Sequence, residues 1–375
     1  MIPFNKPFFS SEIFSELDSF KNNSDLLRNK SYSTKSIQVL QQIYPQSLVR
    51  LTKSCTQALE LSALLLDIKA GDEVVLPSFA YVSIATAFTQ RGATLVFVDI
   101  DPFTLNIDVK EVEKAITPKT KAIVTINYAG IAVDYETLKP LATNHNIPVV
   151  EDNAMGINAS YKGKPLGSFG DISTISFDYL KNISCGEGGA LFLNNRSYES
   201  QLRLVYENGT NKADFMDGKV DKYEWRSLGS NYHLSEILSC VLYKQLDQVE
   251  RLTALRLDKW LYYGQEFKNL KDKEEIELLR VPQECSHNGH AFIVKLKDEN
   301  TRNSMMHYLR ENGVESAFHY TPLHSSEFGT KAGRFSGKDR YTTRESKRIL
   351  RLPLYHDMSR EDQDRVISLV HDFIR

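Results

Sequence analysis

Val149-Val150-Glu151-Asp152 closes one short apolar run, and Ile172-Ser173-Thr174-Ile175-Ser176-Phe177-Asp178-Tyr179-Leu180-Lys181-Asn182 begins with the next. Working outward from this pair, apolar runs recur upstream at Val74 to Leu76, Leu95 to Val98 and Ala122 to Ile126, and downstream at Ala190 to Leu193. Helix-period stretches lie between several of them, such as Thr56 to Leu66, ended by Gly71. Apolar strands alternating with helices predict an α/β fold with a mostly parallel sheet covered on both faces. Beyond Gly209 the texture changes. A polar segment, Asn208 to Asp221, leads to Tyr223-Glu224-Trp225-Arg226 and then to one long helical pattern from about Leu234 through Leu261. These features predict a large domain over residues 1–250 and a smaller α+β domain over 251–375, with a strand at His290 to Leu296 and helices at Arg302 to Glu311 and Arg360 to Phe373.

The 375 residues are 41% hydrophobic and 25% charged with a formal net charge of −2, so no overall field draws nucleic acid or an anionic membrane. A phosphate-bearing ligand must be held by local donors. Cys55, Cys185, Cys240 and Cys285 are scattered without a CxxC pair, which reads as reduced thiols. The nine histidines show no metal-binding spacing, and His319 and His324 read equally well as surface residues. The start, Met1-Ile2-Pro3-Phe4-Asn5-Lys6-Pro7, lacks the plan of a signal peptide and no apolar run reaches membrane-spanning length, so the expected location is the cytoplasm.

Lys181 follows Asp152 by 181 − 152 = 29 residues and Ser176 by five, and Gly186-Glu187-Gly188-Gly189 comes soon after. Taken singly, each has a plain reading: Asp152 as a turn or cap residue, Lys181 as a surface lysine, Tyr81 in Pro77-Ser78-Phe79-Ala80-Tyr81 as a packing residue, and Ser54-Cys55-Thr56 as an ordinary helix cap. Together, on consecutive strand ends, they match a pyridoxal phosphate site. There the lysine forms the Schiff base, an aspartate keeps the pyridine nitrogen protonated, a hydroxyl holds the phosphate and an aromatic stacks on the ring. A helix start with hydroxyl side chains is a natural phosphate cradle. No GxGxxG follows the first strand, which argues against a nicotinamide enzyme.

At these motifs, and at Gly229-Ser230-Asn231-Tyr232, Tyr320-Thr321-Pro322-Leu323-His324 and Arg351-Leu352-Pro353-Leu354, the chain resembles the DegT-type sugar-nucleotide aminotransferases, a branch of the fold type I pyridoxal phosphate enzymes. The segment from Gly209-Thr210-Asn211 to Trp225-Arg226 is most similar to enzymes that aminate dTDP-4-keto-6-deoxyglucose at C4 for surface polysaccharide such as lipopolysaccharide O-antigen. The resemblance implies that Lys181 carries the Schiff base, Asp152 binds the ring nitrogen, Tyr81 stacks on the ring, and Cys55, Thr56 and Ser176 hold the phosphate. It implies a homodimer with shared active sites, in which Asn231 reaches the phosphate from the neighbouring subunit. Arg226, His319 and Tyr320 are the implied substrate-binding residues.

Two positions depart from the family pattern. Met155 stands where a glutamine usually meets the cofactor's phenolic oxygen, and Asp178 where a histidine usually precedes the lysine by three. The expected reaction moves the amino group of L-glutamate, leaving 2-oxoglutarate, to C4 of the dTDP-linked keto sugar. The rivals are amination at C3 of a 3-keto nucleotide sugar and a non-catalytic sugar-nucleotide-binding protein of the same fold.

Overall fold

The computed structural model describes residues 1–21 and 23–375. Its centre is an eight-stranded sheet of Leu48–Thr52 (β1), Glu73–Pro77 (β2), Thr94–Val98 (β3), Thr120–Ile126 (β4), Val149–Asp152 (β5), Ile172–Ser176 (β6), Gly189–Leu193 (β7) and Gly333–Phe335 (β8), in the order β1-β7-β6-β5-β4-β2-β3-β8. Only β7 runs against the others, pairing antiparallel with both β1 and β6. The near-continuous burial of these strands is what a sheet covered on both faces requires. Each predicted apolar run of this sheet is a strand, so the α/β expectation holds.

Two strands of the sheet lie outside the predicted set. β1 (Leu-Val-Arg-Leu-Thr) is short and interrupted by Arg50. β8 has three residues and pairs with β3 from more than two hundred residues away. The seat of β8 is fixed by Asp99 at the end of β3, whose buried carboxylate accepts the backbone N–H groups of Arg340 (2.9 Å) and Thr342 (2.8 Å) and the Thr342 hydroxyl (2.6 Å).

The long helical pattern expected from Leu234 to Leu261 is two helices, Glu236–Leu246 and Val249–Glu266. The apolar period runs on through the junction, so the break at Asp247-Gln248 leaves no trace in the sequence. Past it, a three-stranded antiparallel sheet (Glu277–Leu278, Phe292–Lys295, Ile349–Leu352) is covered by helices Glu299–Glu311 and Arg360–Ile374. Its core is Phe267, Phe292, Val294, Leu309 and Val366, joined by Ile2 from the chain start. Among the described residues no helix is long and apolar enough to cross a membrane.

Candidate active site

In the large sheet β3 is added on one side of β2 and β4 on the other, which opens a crevice at the carboxyl ends of the strands. A cavity of about 690 Å³ lies there, bounded by the loops after β1, β2, β5 and β6 and by strand Ile349–Leu352 of the small sheet. Its wall contains Cys55 and Thr56 from the first loop, Tyr81 from the second, Asp152 and Met155 from the third, and Ser176 and Lys181 from the fourth; His319 and Tyr320 close the far side.

Strand alternation divides the acidic pair. Glu151 points away from the cavity and accepts N–H groups from Gly167 (2.5 Å), Phe169 (2.8 Å) and Gly170 (2.9 Å), with Asn127 Nδ2 at 2.8 Å. Asp152 points in, where its one conventional hydrogen bond comes from Ala154 N–H at 3.0 Å. Burial pushes its carboxyl up to about 6, against the opposing pull of Ala154 and Lys181. The ammonium of Lys181 is pushed below its ordinary range, again by burial first, with Cys55, Asp152 and Asp178 pulling it back. Among the described residues neither charge is held in a salt bridge.

The turn that presents Lys181 is built by Asp178. Ser176 Oγ accepts Asp178 N–H (3.3 Å), the Asp178 carboxylate accepts Leu180 N–H (3.0 Å), and its carbonyl accepts Lys181 N–H (2.9 Å). An aspartate at the position of the usual histidine is therefore a turn former here.

Ser54 caps helix Cys55–Leu65 by accepting Gln57 N–H at 3.1 Å, which leaves the N–H groups of Cys55 and Thr56 uncapped and facing the cavity. The cap and cradle readings of this tripeptide thus hold together. The Cys55 thiol turns inward, 3.5 Å from Thr174 Oγ1 and 4.0 Å from Asp152 Oδ1, so only its backbone is disposed toward a phosphate. Gly189 is required because a Cβ would lie 2.5 Å from Cys55 N, and Gly186 occupies the left-handed region at φ +88°. The glycine-rich motif accordingly brings β7 against the helix start.

Met155 is buried, its sulfur accepting Ala129 N–H at 3.4 Å. The wall opposite is aromatic: His319 Nδ1 lies 2.5 Å from Tyr128 Oη and its ring stacks on Tyr320 at 3.7 Å. Burial drives His319 and His290 well below the ordinary histidine range, so both are neutral at pH 7. His319 is half-buried in the cavity wall, which corrects the surface reading, and His324 is half-buried too, its Nδ1 2.7 Å from Ser78 Oγ.

Arg226 and Asn231 do not reach this cavity within the chain. They lie on an arm that folds back through a Thr210–Trp225 bridge, with Arg226 N–H bonded to Gly209 O at 2.7 Å, and both are exposed. Sequence reading also missed Tyr128, His290, Arg256, Asn288 and Arg351. Asn288 is a tie, donating to Met155 O (2.7 Å) and Ile157 O (2.8 Å) while its carbonyl accepts from Asn182 beside the lysine. The only cue to Arg351 is a lone charge inside the apolar run Ile349-Leu350-Arg351-Leu352.

A half-buried amine and a buried carboxylate, neither in a salt bridge, share a cavity with a helix start that has free N–H groups. Pyridoxal phosphate, with an aldehyde, a basic ring nitrogen and a phosphate, fits that donor set. The comparisons agree. The DegT/DnrJ/EryC1/StrS aminotransferase family matches residues 28–371. The chain belongs to this family and is an aminotransferase. Among solved structures it is similar to the aminotransferase TlmJ of Streptoalloteichus hindustanus (25% identity, TM-score 0.90, 100% of this chain and 99% of that one). It is likewise similar to Spr1654 of Streptococcus pneumoniae, described as a sugar aminotransferase (25%, 0.88, 100% and 97%), for which PLP and PMP forms are also known. Helicobacter pylori PseC, an aminotransferase of pseudoaminic acid biosynthesis, shares the fold (23%, 0.89, 100% and 99%).

Proposed function

We propose that this aminotransferase uses pyridoxal phosphate to move the amino group of L-glutamate to C4 of dTDP-4-keto-6-deoxy-D-glucose, giving a dTDP-4-amino-4,6-dideoxyhexose for surface polysaccharide. The observation that carries the reading is the pair Asp152, buried, and Lys181, half-buried, which line one cavity and are left uncompensated by the fold. The sugar half rests on the resemblance of residues 209–226 and on neighbours described as sugar aminotransferases.

When bound, the cofactor supplies an electron sink and carries the amino group between substrates. Lys181 Nζ would attach it, Asp152 would hold the proton on its ring nitrogen, and Thr56 with Ser176 and the N–H groups of Cys55 and Thr56 would hold its phosphate. Tyr81 would cover one face of the ring. Desolvation disfavours the charged form of Lys181 Nζ, which suits this amine to accept a proton. It takes the proton from Cα of glutamate and later delivers one to C4 of the sugar. His319 and Tyr320 orient the hexose, and the neutral imidazole of His319 sets no charge against the reacting carbon.

The reading carries a homodimer with it. Trp225 is 76% exposed and Met216, Leu228 and Tyr223 lie exposed on the same arm, while Tyr81 at the cavity wall is 58% exposed. A second copy laid across these surfaces would bring Arg226 and Asn231 to the partner's cavity. Residues 1–250 would then hold the cofactor while 251–375 close over the sugar. Mixing Lys181→Ala and Asn231→Ala chains should restore activity in mixed dimers if sites are shared.

The direct test is the visible spectrum of the protein with pyridoxal phosphate, followed by L-glutamate and then the dTDP keto sugar, with the product identified by NMR. The band of bound cofactor should disappear with glutamate and return with the sugar. A band that glutamate removes and the sugar does not restore would reject the substrate; a protein that never forms the band would reject the role of Lys181.

A further inference from the structure

Tyr320 belongs to a bridge of chain between the two sheets whose backbone is fastened at its two ends. At one end Ala317 exchanges backbone hydrogen bonds with Arg351 of the small sheet, at 3.1 and 2.8 Å. At the other, Leu323 N–H donates to the carbonyl of Ser78, just past the end of β2, at 2.9 Å. Among the described residues, 318–321 make no backbone–backbone hydrogen bond. The place of Tyr320 therefore depends on how firmly the second end is held.

That end is closed by three side chains in series. His324 N–H donates to Ser78 Oγ at 3.1 Å, and Ser78 Oγ lies 2.7 Å from His324 Nδ1. His324 Nε2 lies 3.3 Å from Asp339 Oδ2, which also accepts from the Thr343 hydroxyl. The donors follow by elimination. A backbone N–H only donates, so Ser78 Oγ accepts from it and has its own proton left for Nδ1. A carboxylate only accepts, so Nε2 carries the imidazole's hydrogen. Burial holds His324 below the ordinary histidine range, against the pull of Asp339 and Asp99, and so favours this neutral form.

A serine, a histidine and an aspartate in series are also the parts of a hydrolytic triad. Here the serine is 0% exposed and neither it nor His324 lines the cavity, so Oγ meets no substrate. What the series joins is two aromatic walls. Ser78 stands three residues before Tyr81 and His324 four after Tyr320. Those two rings lie 6.3 Å apart, with Phe79 5.4 Å from Tyr320. We infer that His324 is a positioning residue: through Ser78 it sets the spacing of Tyr320 from Tyr81, and so the slot in which the hexose is held. The role rests on the proposed part of Tyr320 in orienting the sugar.

In a ping-pong reaction each substrate's kcat/KM reports its own half-reaction, so the test compares the keto sugar with glutamate on the holoenzyme. His324→Ala should lower kcat/KM for the dTDP keto sugar about 10-fold and leave that for L-glutamate within about twofold of wild type. His324→Asn, whose amide oxygen stands near the place of Nδ1 and can accept the Ser78 hydroxyl, should recover most of the loss. His324→Gln, whose amide falls nearer the place of Nε2, should not. Recovery by glutamine rather than asparagine, equal losses for both substrates, or wild-type values throughout would each overturn the inference. Hydrogen exchange needs no substrate: the amides of residues 323 and 324 should exchange faster in the alanine and glutamine variants than in wild type and the asparagine variant. Unchanged exchange in the alanine variant would show that His324 does not hold the bridge. If that variant does not fold, the asparagine and glutamine variants carry both comparisons. A wild type that reacts with glutamate but not with the dTDP keto sugar fails the substrate assignment instead, and the exchange measurement then decides the role of His324 by itself.

Discussion

The two faces of β5 carry neighbouring buried carboxylates in opposite circumstances. Behind the sheet, Glu151 is surrounded by four N–H donors that close the 167–170 loop onto the strand. In front, Asp152 has one backbone donor, and Lys181 and Arg351 nearby are equally short of partners. A buried charge that is fully hydrogen-bonded maintains architecture; one that is not waits for a ligand. The chemistry of this protein is located by what the fold leaves uncompensated.

Substitutions on the two faces should therefore fail in different ways. Lys181→Ala should lower turnover at least about 10⁴-fold while leaving the melting temperature unchanged or higher, because it removes an unpaired cation that is partly desolvated. A large loss of stability would mean that Lys181 is structural and would erase the contrast. Asp152→Asn should lower turnover by about 10²–10³-fold.

That variant also tests a pH dependence. The folded pKa of Asp152, about 6, lies above its ordinary 3.8. Ionisation therefore costs stability in the free protein above about pH 6, and the cost is relieved as pH falls toward 4. A cationic ring beside the carboxylate reverses this preference. Cofactor affinity, measured by absorbance titration, should weaken as pH falls through about 6 in the wild type and should lose that step in Asp152→Asn.

On the rear face Glu151→Gln should cost about 3 kcal/mol in chemical denaturation, since an amide cannot accept from four donors. Turnover per folded molecule should stay near wild type. Equal damage to catalysis would show that the loop at 167–170 reaches the site after all. The smallest effect is expected from Met155→Gln, where an amide oxygen can take the Ala129 N–H now given to sulfur. Steady-state turnover should change by less than about threefold; a large loss would mean that the thioether is packed for another purpose.

How much was legible follows from how far apart the interacting residues lie. Asp152, Ser176 and Lys181 sit at the ends of successive apolar runs, so order and spacing alone bring them together. The α/β sheet was readable for the same reason, since each buried strand is a local apolar word. Three-residue β8 carries no such word and exists only through β3 and Asp99. Tyr128 and Arg351 acquire meaning only when distant loops converge. The division of labour between Glu151 and Asp152 could not be seen either, because it depends on which face meets the 167–170 loop.

The late closure of the sheet has a consequence for synthesis. β3 is a five-residue run, Thr-Leu-Val-Phe-Val, whose outer edge stays bare until β8 leaves the ribosome 333 − 98 = 235 residues later. At ordinary elongation rates that delay is on the order of 10–50 s. Through it the nascent chain offers an apolar template for pairing with other chains. Chaperone demand should therefore peak before residue 333, and a chain ending at residue 332 should sediment as aggregate where the full-length protein does not.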